Sequence, residues 1–159
     1  MRASFKTPAI LWIVFIILTT QLFSKVELEV RNKSYFFVPD FKRIPEFFSG
    51  QEFQGSKVYC RSRPNEREGF YFVVKVNSST KNLPHGVYWI LDWITPLDPM
   101  AQSIKIPIDN AGISGREVFI GLTGGDWPGP SVKPLAWRLC LVGEEGTTIA
   151  KRQSFLWSK

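Results

Sequence analysis

The sequence has little of the chemistry that metal sites and many catalytic sites require. It contains two cysteines and one histidine in 159 residues, and Cys60, Cys140 and His85 cannot supply the four ligands of a tetrahedral zinc site at any usual spacing. His85 lies between Pro84 and Gly86, a pattern typical of a turn. A nucleophilic triad needs a histidine oriented by a third group. We therefore expect no metal, no cofactor and no enzymatic activity.

Long hydrophobic runs are absent apart from residues 9–18, which follow Arg2 and Lys6. This run is short for a membrane-spanning helix, which needs about 20 apolar residues, and it is typical of a signal peptide. The cleavage site near Ser24 is poor, so a retained anchor stays open. A buried helix of a cytosolic domain is disfavoured because no amphipathic stripe is visible. Residues 1–24 are therefore predicted to be a signal peptide or an N-terminal membrane anchor, and the chain to be exported. Its expected location is periplasmic or extracellular, or anchored to the membrane by this segment.

The charge pattern excludes few functions, since the net charge is only +6. Without Arg2 and Lys6 the net charge is +4, and the remaining basic residues are spread along the chain. A nucleic-acid-binding domain more often concentrates them on one element. We expect no nucleic-acid partner, and we read the basic residues as a solvated surface or a weak attraction to acidic surfaces.

Period-two alternation predicts seven short strands separated by Gly, Pro and Asn, with no long helical period. This spacing indicates an all-β fold, an antiparallel β-sandwich over residues 57–159. A further short strand is predicted at 26–30, within an aromatic-rich N-terminal extension over residues 25–56. The seven predicted strands cover residues 57–61, 70–76, 87–94, 103–108, 117–122, 136–142 and 147–157.

The strand count and the tryptophans of the third strand, Trp89 and Trp93, give a fold-level resemblance. Over residues 57–157 the chain resembles the immunoglobulin-like and fibronectin type III sandwiches, which often bury a tryptophan there. The second strand has no cysteine, and Arg138 stands two residues before Cys140, where antibody domains have a tyrosine. The resemblance implies a seven-strand sandwich and transfers no functional residue.

The two cysteines, Cys60 and Cys140, both lie in predicted strands. In an oxidising compartment a disulfide between them would stabilise the fold by roughly 2–4 kcal/mol if the geometry permits. Cys140 alternates with Trp137 and Leu139, which predicts that its side chain points away from their core side. The sequence leaves the disulfide open.

The extension crowds phenylalanines among prolines and a glycine, with a one-turn helix predicted from Pro45 to a stop at Gly50. These rings either pack onto the domain as a brace or form an exposed patch that binds a partner or lies against the membrane. The candidate binding residues of this segment are Phe36, Phe37, Phe41, Phe47 and Phe48.

Another candidate is Trp127, within the glycine- and proline-rich residues 121–130. This loop lacks the Gly-Lys-Ser/Thr ending of a phosphate-binding loop. A tryptophan held there is either a stacking platform for a sugar or a partner hot spot, or a plug that folds back over one end of the sandwich.

Carboxylates give only a weak indication of hydrolase chemistry. Asp92, Asp98, Asp109 and Asp126 are the candidates for an acid/base pair, but turn positions explain most of them. The expected function is an exported, membrane-associated, non-catalytic β-sandwich module that mediates protein–protein interaction or envelope assembly. A carbohydrate-binding module with a glycan ligand is the alternative, followed by an exported hydrolase.

Overall fold

Eight strands and two short helices make up the computed structural model, which describes residues 26–78, 83–108 and 113–158. The predicted signal peptide or anchor lies outside the described residues. The elements are β1 (Val26–Phe36), α1 (Val38–Phe41), α2 (Ile44–Ser49), β2 (Val58–Arg61), β3 (Gly69–Ser78), β4 (Tyr88–Ile94), β5 (Gln102–Pro107), β6 (Glu117–Thr123), β7 (Ala136–Val142) and β8 (Thr148–Gln153). Short 3₁₀ turns follow β6 at Gly124–Asp126 and β8 at Phe155–Ser158.

The strands form two four-stranded sheets. The first sheet has the order β1-β3-β6-β2 and the second the order β5-β4-β7-β8. All neighbouring strands are antiparallel except β2 and β6, which are parallel. The predicted all-β fold with two sheets is confirmed, with eight strands where the sequence predicted seven and one more short strand.

The core lies between the two sheets. Because side chains alternate along a strand, every second residue of each strand points into this space. Phe72 and Val74 of β3, and Trp89 and Leu91 of β4, are completely buried there. Burying large apolar side chains on both inner faces is what holds two sheets together in a sandwich.

Strand β1 is longer than the sequence predicted. It pairs with β3 from Val26 to Phe36, with a bulge between Val30 and Asn32. The bulge breaks the alternation and is followed by exposed polar residues, so the pattern predicted only residues 26–30. Residues 26–36 therefore belong to the first sheet, and only the rest of the extension lies outside both sheets.

A second apolar layer covers the outer face of the first sheet. Phe41 of α1 is 2% exposed and its ring centroid lies 5.0 Å from that of Tyr71 and 5.6 Å from that of Tyr59. Phe36 packs beside them, 5.6 Å from Tyr71 and 5.9 Å from Phe119. The chain between β1 and β2, residues 37–57, thus crosses this face and is called here the crossing segment. This crossing lets β2 run parallel to β6.

The sandwich has two ends, named here by the first and last residues of β1. The Val26 end is where β1 begins and β3 ends, and the Phe36 end is where β1 ends and β3 begins. In the second sheet the start of β7 belongs to the Phe36 end, because the ring of Trp137 lies 5.4 Å from that of Phe72. In the described part of the chain no helix has the length and apolar character needed to cross a membrane.

Candidate functional site

The structure divides the five candidate phenylalanines into two groups. Phe36 and Phe41 pack against the first sheet, as the brace interpretation predicts. Phe47 and Phe48 are 90% and 82% exposed, and Phe37 is about half exposed. The two rings of α2 contact each other edge to face, with centroids 6.0 Å apart. Phe36 and Phe41 therefore form the brace, whereas Phe47 and Phe48 are an exposed aromatic pair that takes no part in it.

Helix α2 presents its apolar side to solvent. Ile44, Phe47 and Phe48 occupy positions i, i+3 and i+4, which lie on one side of a helix, and Ile44 is 78% exposed. Glu46, on another side, forms an ion pair with Arg67 of the segment before β3. A surface helix ordinarily turns its apolar side toward the core. Helix α2 has the reverse orientation, with its apolar side toward solvent. We call the exposed side chains of Ile44, Phe47 and Phe48 the α2 face.

Local sequence determines where this helix begins and ends. Pro45 suits the first turn because its fixed φ is already helical and its missing N–H would be unpaired there. Gly50 ends the helix with φ of 66°, and its N–H donates to the carbonyl oxygen of Glu46 at 2.8 Å. The predicted turn from Pro45 to Gly50 is therefore confirmed.

A buried charged cluster lies beneath the crossing segment. The guanidinium of Arg61 donates to both carboxylate oxygens of Glu52 at 2.7 and 2.5 Å, and its Nε donates to the hydroxyl of Tyr71 at 2.9 Å. The side chains of Arg61 and Glu52 are 6% and 18% exposed. Arg67 lies 3.8 Å from Glu52 and pairs with Glu46, so a chain of ion pairs connects β2 to α2.

Protonation states follow from this geometry. The hydrogen bond from Arg61 lowers the pKa of Glu52, outweighing the opposing effect of burial. Burial raises the pKa of Tyr71 to about 12, so its phenol is neutral at physiological pH and donates to the carbonyl oxygen of Arg67 at 2.6 Å. The pair of Arg61 and Glu52 is therefore ionised at neutral pH, and the cluster fixes α2 against the sheet.

Trp127 lies inside the sandwich. It is 4% exposed, and its ring stacks on that of Phe70 with centroids 4.6 Å apart. The loop before it is fixed by a hydrogen bond from the N–H of Gly124 to the carbonyl oxygen of Glu68. The indole closes the Phe36 end of the core, which is the plug arrangement. A buried ring presents no face on which a sugar or partner could stack.

No disulfide joins the two cysteines in this structure. Cys60 of β2 faces the core between the sheets. Cys140 of β7 alternates with Leu139 and Leu141, which face that core, so its thiol lies on the outer side of the second sheet, as predicted. The two thiols therefore occupy different layers of the sandwich.

Three of the four candidate acid/base residues have a structural role. Asp92 accepts a hydrogen bond from Arg138 at 2.8 Å, and Asp126 accepts one from Arg63 at 3.0 Å. Asp98 accepts from the N–H of Met100 at 2.9 Å, and Asp109 lies outside the described residues. His85 is exposed in a turn. Within residues 26–78, 83–108 and 113–158 no cluster of three His, Cys, Asp or Glu side chains could hold a metal ion.

Sequence reasoning missed a second apolar surface at the Phe36 end. Leu97 and Met100 of the β4–β5 loop and Leu135 before β7 are between 51% and 75% exposed. The N–H of Leu135 donates to the carbonyl oxygen of Ile94 at 2.8 Å, which places the two loops side by side. The signal in the sequence was two large apolar residues that each follow a proline in the same short loop, Leu97 after Pro96 and Met100 after Pro99. We call Leu97, Met100 and Leu135 the loop patch.

No family model matches the chain, and no curated protein or solved structure is significantly similar to it. The functional interpretation therefore depends on the two exposed surfaces, the α2 face and the loop patch, and on the sequence before β1.

Proposed function

We propose that this chain is an exported, membrane-associated, non-catalytic β-sandwich module that mediates a protein–protein interaction in envelope assembly. Export and membrane association are supported by the basic residues and the apolar run of residues 1–24. The protein interaction is supported by one observation above all. The loop patch holds three large apolar side chains in solvent on an ordered framework.

Hydrogen bonds fix the β4–β5 loop before any partner arrives. The N–H of Thr95 donates to the carbonyl oxygen of Asp98 at 3.3 Å, and the N–H of Asp98 donates to the hydroxyl of Thr95 at 3.2 Å. The amide of Gln102 donates to the carboxylate of Asp98 at 2.7 Å. A preorganised loop loses little conformational entropy on binding, so most of the free energy of apolar burial remains available for affinity.

The charge of the loop favours a protein over a lipid surface. Hydrogen bonds from Met100 and Gln102 lower the pKa of Asp98, so the loop carries a carboxylate anion between Leu97 and Met100. Anionic lipid headgroups repel such a group. The surface it fits is a protein with an apolar centre and a cationic rim, in which Leu97 and Met100 act as anchors.

Crosslinking in native membranes tests this function. The tagged full-length chain is crosslinked in its host, recovered, and its adducts are identified by mass spectrometry. We expect a protein adduct that disappears in Leu97→Ser and persists in Leu156→Ser, which removes a similarly exposed leucine from the turn after β8. An adduct that survives Leu97→Ser and Met100→Ser equally would refute the loop patch as the binding surface.

The carbohydrate-binding alternative receives less support from the described tryptophans. Trp89, Trp93, Trp127 and Trp137 are between 0% and 7% exposed, and Trp157 alone of the described tryptophans is half-buried, whereas a sugar platform needs exposed, coplanar rings. Tryptophan fluorescence titrated with polysaccharides separates the two functions. A saturable change with any glycan would favour the alternative.

We also infer that the sandwich follows the immunoglobulin-like and fibronectin type III plan. Strand order supports this inference. Without β2, strands β1-β3-β6 oppose strands β5-β4-β7-β8, and the completely buried Trp89 lies on β4, the strand where such folds often bury a tryptophan. On this interpretation β2 is an addition to the edge of the first sheet. A solution structure tests it by whether β1-β3-β6 form one sheet and β5-β4-β7-β8 the other.

A further inference from the structure

We propose that the α2 face is a lipid-contact surface that inserts into the headgroup region of an anionic bilayer. The proposal rests on the membrane association suggested above and specifies a site for it. It uses none of the residues of the loop patch, so the protein interaction and the lipid contact can be tested separately.

The first argument is the reversed orientation of α2. Ile44, Phe47 and Phe48 project into solvent although the ion pair of Glu46 with Arg67 fixes the opposite side of the helix. The helix therefore cannot roll to bury its apolar stripe without breaking that pair. Apolar side chains held out by a charged cluster are positioned to enter an apolar medium.

Charge complementarity identifies the kind of medium. Lys42 and Arg43 immediately precede α2 and are exposed, and among the described residues neither forms an ion pair. Of the nearby carboxylates, Glu46 pairs with Arg67, whereas Asp40 accepts a hydrogen bond from the neutral N–H of Phe37 at 2.8 Å and offsets one of the two cations. The α2 face thus combines aromatic rings with a net positive charge, which fits anionic headgroups above an apolar layer.

The size of the α2 face suits shallow insertion into a bilayer. Ile44, Phe47 and Phe48 together expose roughly 500 Å² of apolar surface. Three side chains and two cations are sufficient for shallow insertion, whose strength scales with apolar area and with electrostatic attraction. A recess of about 250 Å³ beside Phe47 is lined by Lys42, Arg43, Gly50 and Glu46, of which Glu46 is paired with Arg67.

The position of α2 defines how the domain would lie. Residues 1–24 join the sandwich at the Val26 end, and α2 is fixed near the Phe36 end. The strand β1 separates these ends by about 33 Å, at 3.3 Å per residue. Contact at both ends lays the strands of the first sheet along the bilayer. Stable attachment commonly needs two such signals rather than one.

Depth-sensitive fluorescence on the full chain tests the proposal. An environment-sensitive fluorophore is attached through Phe48→Cys, with Phe155→Cys as the matched control because Phe155 is also an exposed phenylalanine. Cys60 and Cys140 are buried and are left unlabelled under native conditions. The probe is a vesicle of phosphatidylglycerol whose lipids carry a quencher in the upper acyl chain, with phosphatidylcholine vesicles for comparison.

We expect several-fold stronger quenching at position 48 than at position 155 in the anionic vesicles, and weaker quenching in phosphatidylcholine. Lys42→Gln with Arg43→Gln removes two cations, each of which contributes about a fivefold factor to binding at the surface, so the quenched fraction falls as expected for a roughly 30-fold weaker local contact. Ile44→Ser with Phe47→Ser abolishes it.

Sedimentation of the same samples separates the two proposals. If the full chain does not sediment with vesicles, the proposed membrane association itself is wrong. If it sediments but the label at position 48 is quenched no more than the label at position 155, the lipid contact alone is refuted. A photocrosslink from position 48 to a protein in native membranes, in place of lipid quenching, would also overturn it and assign the α2 face to a protein partner.

Discussion

The ring of Tyr71 lies directly over Gly121 of the neighbouring strand. A Cβ atom at position 121 would lie 2.4 Å from Cε1 of Tyr71, closer than real side chains approach. The two residues are partners in the β3–β6 register. The absence of a side chain on Gly121 is therefore what lets the phenol lie flat and reach Arg61.

Gly121→Ala is expected to lower the free energy of unfolding by about 1–3 kcal/mol, the usual cost of overpacking, because Tyr71 must move off its partners. Urea denaturation measures the change. Gly143→Ala is the control, since the nearest atom to a Cβ there is at 3.7 Å, an ordinary contact. Equal effects of the two substitutions would contradict the packing argument.

Arg61→Met is expected to destabilise the domain by about 3–5 kcal/mol, because it leaves Glu52 buried without its charged partner. Arg63→Met removes an arginine whose side chain is 47% exposed and pairs with Glu66 and Asp126. Exposed pairs contribute at most about 1 kcal/mol. Chemical denaturation compares the variants, and a loss at position 61 no larger than at position 63 would show that the cluster adds little stability.

Acid should weaken the link between the crossing segment and the sheet. The pKa of Glu52 is lowered from its ordinary value of 4.5 by the hydrogen bond from Arg61, so the folded state binds this proton less readily than the unfolded state. The resulting stability is fully present above pH 4.5 and is lost as the pH falls through the lower folded pKa. Free energies of unfolding measured from neutral to acidic pH for the native chain and for Glu52→Gln isolate this contribution.

The Gln variant should be less stable at neutral pH, and its difference from the native chain should shrink in acid. A difference that stays constant with pH would mean that Glu52 is not ionised in the fold. Asp98 and Asp126 also have lowered pKa values, but they are present in both proteins and cancel in the comparison.

Trp127→Ala is expected to cost about 3–5 kcal/mol, as large-to-small substitutions in a core do, because it removes the ring stacked on Phe70. Trp157→Ala, at a half-buried position in the last 3₁₀ turn, should cost clearly less. Thermal unfolding followed by near-ultraviolet circular dichroism checks both. A stable Trp127→Ala domain that has lost partner binding would restore the surface interpretation of this tryptophan.

The strands were the most predictable part of the fold. The bounds of β7 were predicted without error at residues 136–142, because Trp137, Leu139 and Leu141 alternate with outward residues. The end of β1 was missed, because a bulge after Val30 interrupts the period on which the prediction depends. Alternation carries no information across an irregular position.

The candidate site was less predictable because orientation depends on distant partners. Spacing places Phe47 and Phe48 on one side of a helix, but only the pairing of Glu46 with Arg67 determines that this side faces outward. For Trp127, both the plug and the platform are compatible with a rigid loop, and the position of Phe70 decides between them. Local sequence records neither long-range contact.

The parallel pairing of β2 with β6 has a consequence for the order of folding. Its four residue pairs join positions about 60 residues apart, from Val58–Val118 to Arg61–Gly121. Closing a loop of this length lowers the conformational entropy of the chain, and only these few contacts compensate for that loss. Strand β2 should therefore join the sheet late, and its amide protons should exchange faster than those of β3. The crossing segment that positions α2 would then be the last part of the domain to be completed and the first to open.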